Sequence, residues 1–145
     1  MISKARASKL LIAIRNKMDF SLYRIQHQAL VGEPHVALFL QTKPAERKGN
    51  YYEVLGDIQN GVYFEHRYSQ DGPENIMTFE SKLLLGKVDE GDVEKVLQTC
   101  RGIAAPVKQF EKNKHLFPGR PLRRCTMWTE EVIKALTDKK VVIVE

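Results

Sequence analysis

From Asp19 onward the hydrophobic residues of this 145-residue chain recur with a period of two, and one run, His35-Val36-Ala37-Leu38-Phe39-Leu40-Gln41, is apolar on both faces. Successive side chains of a strand point to opposite sides of its sheet, so a segment with no polar side belongs inside the sheet. The same alternation predicts strands over 20–28, 51–57, 62–68 and 76–85, the last ending at Gly86. Glu33-Pro34 breaks the chain ahead of the apolar run, and the polar 42–50 segment with Pro44 and Gly49 is a loop. Asn60-Gly61 suits a type I′ turn, because both residues tolerate positive φ.

After residue 86 the period changes. Residues 89–100 read as a helix with acids in its first turn and Val93, Val96 and Leu97 at helical spacing. Pro106, Pro118 and Pro121 limit 101–124 to one short helix around 107–114 and an irregular lead-in. A second helix follows, with Cys125 in its first turn and Leu136 near its end, and 141–144 reads as a sixth strand. The expectation is an α+β fold: a mostly antiparallel sheet of five to six strands, packed by the Cys-bearing C-terminal helix.

Charge divides the chain in two. Lys4, Arg6, Lys9, Arg15 and Lys17 face no acid within residues 1–18 and account for the whole net charge of +5. Ala7, Leu10, Leu11, Ile14 and Met18 share one arc there, so 1–18 reads as a basic amphipathic helix ahead of a single 19–145 domain. That composition suits a mitochondrial leader, a phosphate- or membrane-surface helix, or a helix packed on the domain. A second basic run, Arg101, Lys108, Lys112, Lys114, Arg120, Arg123 and Arg124 against Glu111, leads into Cys125. No apolar run is long enough to span a bilayer, and two cysteines are too few for a disulfide framework, so a cytoplasmic protein is expected. No Cys/His spacing matches a metal site.

At about 100° per residue, Cys125, Trp128, Thr129, Val132, Ala135 and Leu136 share one stripe of the last helix, with Glu130, Glu131, Lys134 and Asp138 opposite. A thiol in a first turn lies near unpaired N–H groups and the positive end of the helix dipole, and Arg123 and Arg124 precede it; all of these favour thiolate. The competing reading is a small apolar side chain in the core. Of the four histidines, His27 ends a strand, His66 lies mid-strand and His115 sits in the basic run. His35 opens the most apolar strand, where its ring can meet the helix terminus and act as general base and acid. Glu53 and Asp57 on the neighbouring strand are the carboxylates that could orient it.

A histidine opening an apolar strand, a Tyr-Glu-Val strand and a later cysteine opening a helix resemble the circularly permuted papain-like order of lecithin:retinol acyltransferase relatives. A fuller pattern is His35-x-Ala-Leu-Phe, Val54-Leu-Gly-Asp57, Gly61-x-x-Phe-Glu65-x-Arg67-Tyr68, Leu85-Gly-x-Val88 and Cys125-x-x-Trp128. It is similar to a group of small fungal proteins that includes the arginine-containing cyclodipeptide synthases. That resemblance implies Cys/His-dependent acyl transfer without a cofactor: amide formation from aminoacyl-tRNA, contacted through the lysines and arginines of 1–18 and 101–124. It implies Cys125, His35, Glu53 and Asp57 as the catalytic group, and Glu65, Arg67, Trp128, Arg123 and Arg124 as substrate contacts. It also implies an amide-bearing residue after the cysteine, where this chain has Thr126. A papain-like amidase or isopeptidase and a non-catalytic binding module on the same scaffold are the alternatives.

Overall fold

The computed structural model describes residues 19–29, 33–43 and 46–144; the basic helix expected over 1–18 lies outside them. Five strands, β1 (Asp19–His27), β2 (His35–Lys43), β3 (Lys48–Asp57), β4 (Gly61–Ser69) and β5 (Phe79–Asp89), form one sheet in the order β4-β3-β2-β1-β5. Every neighbouring pair is antiparallel. Helix α1 (Val93–Gly102), a small hairpin of β6 (Phe110–Glu111) and β7 (Lys114–His115), and helix α2 (Cys125–Asp138) follow. Among the described residues no helix is long and apolar enough to cross a membrane.

The run without a polar side becomes the middle strand, as its composition requires. Leu38 and Leu40 turn one way, where with Leu22, Tyr52, Val54 and Val88 they meet Val96 and Cys100 of α1 and Trp128, Val132 and Leu136 of α2. Ala37 and Phe39 turn the other way and pack with Ile25 and Tyr51 against Ile76 and Phe79. Burying both faces of β2 fixes its register, because a one-residue slip would exchange the two sets.

The lead-in to α2 is tied down by a buried amide. The Oε1 atom of Gln109 accepts the Arg123 N–H at 2.7 Å, its Nε2 donates to the Arg123 carbonyl at 2.7 Å, and its own N–H donates to the Ile58 carbonyl at 2.7 Å. One residue thus holds the approach to Cys125 against the β3–β4 turn, its side chain on Arg123 and its backbone on Ile58. Thr129, fully buried, brings its hydroxyl to the carbonyls of Cys125 at 3.0 Å and Val36 at 3.4 Å, docking the first turn of α2 on the start of β2.

Five local expectations are corrected. The β3–β4 connection is the three residues 58–60 rather than a type I′ pair: only Gly61 takes positive φ (97°), and the Asp57 carboxylate accepts the N–H groups of Gln59 and Asn60. Residues 107–114 hold no helix, because Lys112 at φ 56° turns the chain back and sets Phe110 against His115. The strand expected over 141–144 is a single bridge, Lys87 to Ile143. Gly86 does not end β5 but lets the Ile143 backbone approach; a Cβ there would meet the Ile143 carbonyl at 2.3 Å. The helix expected from residue 89 is a 3-10 turn over Glu90–Asp92 before α1 starts.

Candidate active site

Cys125 is the first residue of α2 and lies half-buried over the start of β2. The His35 ring, the Val36 backbone N–H and the Thr126 side chain are the hydrogen-bonding groups that favour its thiolate. His35 opens β2 and uses Nε2 to bind Glu53 Oε1 at 2.7 Å, which leaves Nδ1 for the sulfur. Glu53 alternates with the inward-facing Tyr52 and Val54, so it projects from the face of the sheet opposite α2. The ring of a residue at the strand's beginning can bridge that face and the helix terminus; one in mid-strand could not.

The electrostatics are those of an ion pair. Hydrogen bonding to Cys125, then to Glu53, raises His35 from 6.5 to about 9 against the opposing effect of burial. His35 in turn holds Cys125 below the ordinary thiol range, helped by the Val36 N–H and Thr126, although burial pushes the other way. Burial also pushes Glu53 up, but the hydrogen bond and charge of His35 and the charge of Arg67 outweigh it and keep it ionised. His27, paired with His35 in register, stacks on it at 6.0 Å between ring centres and meets Thr78 Oγ1 through Nδ1 at 3.2 Å. Burial first and then the neighbouring His35 lower its basicity.

The helix terminus is open. The Arg124 side chain does not cap α2, and among the described residues its first N–H groups with a carbonyl partner are those of Met127 and Trp128, both to Arg124. Among the described residues no carbonyl takes the Cys125 or Thr126 N–H, and Cys125 borders a cleft of about 200 Å³ together with Glu33, Gly56, Asp57, Ile58, Val62 and Arg124. Two free donors and a dipole end beside a thiolate suit a developing oxyanion. A separate cleft of about 250 Å³, bordered by Val107, Phe117, Arg120 and Pro121, follows the basic run and does not include the thiol. Among the described residues, no cluster of His, Cys, Asp and Glu is arranged to hold a metal.

The remaining candidates scatter. Asp57 lines the cleft but spends its carboxylate on its own turn, not on His35. Glu65 stands opposite Glu53 across β3 and β4, while Arg67 reaches Glu53 Oε2 at 3.5 Å. Trp128, expected as a substrate contact, is instead fully buried, donating Nε1–H to the Ile103 carbonyl at 2.9 Å and packing on Phe64. Arg123 is bound to Glu131 and the Ala104 carbonyl, whereas Arg124 borders the cleft. His66 binds Asn50 and His115 accepts the Phe117 N–H, both away from the thiol. Sequence reasoning missed His27 and Gln109.

Paired in this way, Cys125 is expected to lose less of its iodoacetamide reactivity between pH 8 and pH 6 than an ordinary thiol of pKa about 8.5, which slows about tenfold per unit. The sign follows from the two shifts: the sulfur loses its proton below the usual thiol range and the imidazolium keeps its own until about 9, so the window in which both are charged opens at lower pH than for a free thiol and closes near 9. Cys100, sealed in the core with its thiol pushed up to about 12, is the internal control and stays unlabelled. Peptide mass spectrometry separates the two.

A family model described as a family of unknown function, DUF6540, matches residues 22–143, a span that includes Cys125, His35 and Glu53. No curated protein and no solved structure matches the chain.

Proposed function

The chain belongs to the DUF6540 family, and from its site geometry we propose that it is a cysteine/histidine acyl-transfer enzyme. The observation that carries this reading is the Cys125–His35–Glu53 chain ending at an uncapped helix terminus. The Cys125 thiolate attacks an activated acyl carbon, the Cys125 and Thr126 N–H groups hold the oxyanion, and the His35 imidazolium gives its proton to the departing oxygen. This leaves an acyl thioester and a neutral imidazole. The imidazole then takes a proton from an acceptor amine as it attacks, an amide forms, and the thiolate leaves to pair again with the imidazolium.

The order of histidine strand before cysteine helix supports a circularly permuted papain-like arrangement. The similarity to arginine-containing cyclodipeptide synthases supports an aminoacyl-tRNA donor in the cytoplasm. An aminoacyl ester is already activated, so the site need only hold an amine against it. The basic 101–124 run, with its Val107–Phe117–Arg120 cleft, supplies cations and an aromatic face for the nucleic acid.

Incubation with radiolabelled aminoacyl-tRNA tests the proposal. The expected result is label trapped on Cys125 as an acid-stable, hydroxylamine-labile thioester, which chases into an amide when an amine is added. Release as free amino acid alone, or cleavage of peptide amides without reaction of aminoacyl-tRNA, would assign the second step to water and the protein to the hydrolases.

A further inference from the structure

We infer that Arg67, on edge strand β4 and on the sheet face turned away from α2, is a positioning residue that holds the Glu53 carboxylate in the orientation in which one oxygen meets His35. The inference rests on the acyl-transfer reading of the same site.

Glu53 is 5% exposed and divides its oxygens, Oε1 to His35 at 2.7 Å and Oε2 to Arg67 Nη2 at 3.5 Å. Its direct partner across the strands is Glu65, a second carboxylate on the same face. Like charges in that position repel, and repulsion would turn Glu53 away from the histidine. Arg67, two residues beyond Glu65, is the diagonal neighbour that offsets it.

Arg67 is itself held by a platform. Its register partner is Tyr51, which is fully buried, and the guanidinium lies over the Tyr51 ring at 4.2 Å from the centroid. A planar cation stacked on an immobile ring can face Glu53 without an acidic side chain of its own to anchor it. Arg67 touches neither sulfur nor cleft and acts through Glu53.

The charged and titratable groups facing Glu53 are His35 from β2, His27 from β1, and Arg67 and Glu65 from β4, with Cys125 of α2 acting on His35. Without Arg67, burial and Glu65 both favour a protonated Glu53. A protonated Glu53 no longer supplies the negative charge that keeps the imidazolium, and through it the thiolate, in place. The effect therefore falls at the acid end of the pH range.

The test is the pH profile of Cys125 labelling by iodoacetamide from pH 5 to 8, with the melting temperature measured alongside. In Arg67→Met the acid limb is expected to move up by about one pH unit, a loss of about tenfold near the limb, with rates at pH 8 within about twofold of the parent. Arg67→Lys is expected to restore most of the difference, and adding Glu65→Gln to Arg67→Met to restore part of it by removing the opposing charge. Coincident Arg67→Met and parent profiles, or a slowing equal at every pH, would overturn the inference and leave the acyl-transfer reading standing. An ordinary thiol profile in the parent would remove both.

Discussion

Cys125→Ser is expected to reduce acyl transfer by at least about 10⁴-fold, as loss of a nucleophile within a coupled group does. The melting temperature should stay within about 2 °C of the parent, which corresponds to a few tenths of a kcal/mol in a chain of this size. The exchange is nearly isosteric at a half-buried position, so little packing is lost. The chemistry changes far more. The contacts that hold a thiolate, His35 first and then the Val36 N–H and Thr126, cannot hold a serine alkoxide at neutral pH, and the imidazole loses the largest cause of its raised proton affinity. Single-turnover transfer from aminoacyl-tRNA and a thermal melt on the same preparation check both halves. Unaltered activity or partner binding in the serine variant would instead favour a scaffold on which Cys125 is packing alone.

Trp128→Ala is expected to cost about 3–5 kcal/mol, the range for removing a fully buried tryptophan. Against a total stability of about 5–15 kcal/mol for a domain, that is enough to depopulate the native state. Two losses combine. The indole sits wholly inside the core against Phe64, and its N–H satisfies the Ile103 carbonyl just after α1, so truncation opens a cavity and orphans an acceptor. The hole lies one turn beyond Cys125, where α2 docks on the sheet. Urea unfolding is the check: a large fall in midpoint with an unchanged slope is the core result, whereas an unchanged midpoint with a raised KM would return Trp128 to the substrate. Trp128→Phe keeps a ring on Phe64 and loses only part of the packing, and should cost less.

How far such a site can be read in advance depends on which contacts are local. The β2 run announced its central place because no polar side chain interrupts it, and Cys125 announced a helix start because proline-rich chain gives way there to a 3.6-residue period. Glu53 and Asp57 looked alike in sequence, since both belong to one strand. They part in space because β3 ends at Asp57, which serves its own turn, while Glu53 sits four residues inside and reaches His35. His27 had a legible signal: it and His35 are equidistant from residue 31, so an antiparallel hairpin centred there pairs them, as β1 and β2 do.

Other features had no such signal. Gln109 belongs to a segment of irregular composition, and its tie to Arg123 exists only once β6 and the lead-in to α2 lie side by side. Trp128 read as a ligand contact because its stripe on α2 is shared with the cysteine. The same stripe points into the core, and burial deepens within one turn of the helix, from half-buried Cys125 to fully buried Trp128 and Thr129. Gly86 read as a strand end because a lone glycine gives no hint that another backbone packs on it.

The pairing of sulfur and imidazole on which the chemistry depends can be measured directly by following the His35 ring through a pH titration by NMR, in the parent and in Cys125→Ala. The parent ring should titrate near 9, and in the variant its midpoint should fall, because the largest cause of the rise has been removed. A ring that titrates near 6.5 in both proteins would mean that the thiol and the histidine do not share a proton, and that Cys125 is not the nucleophile proposed here.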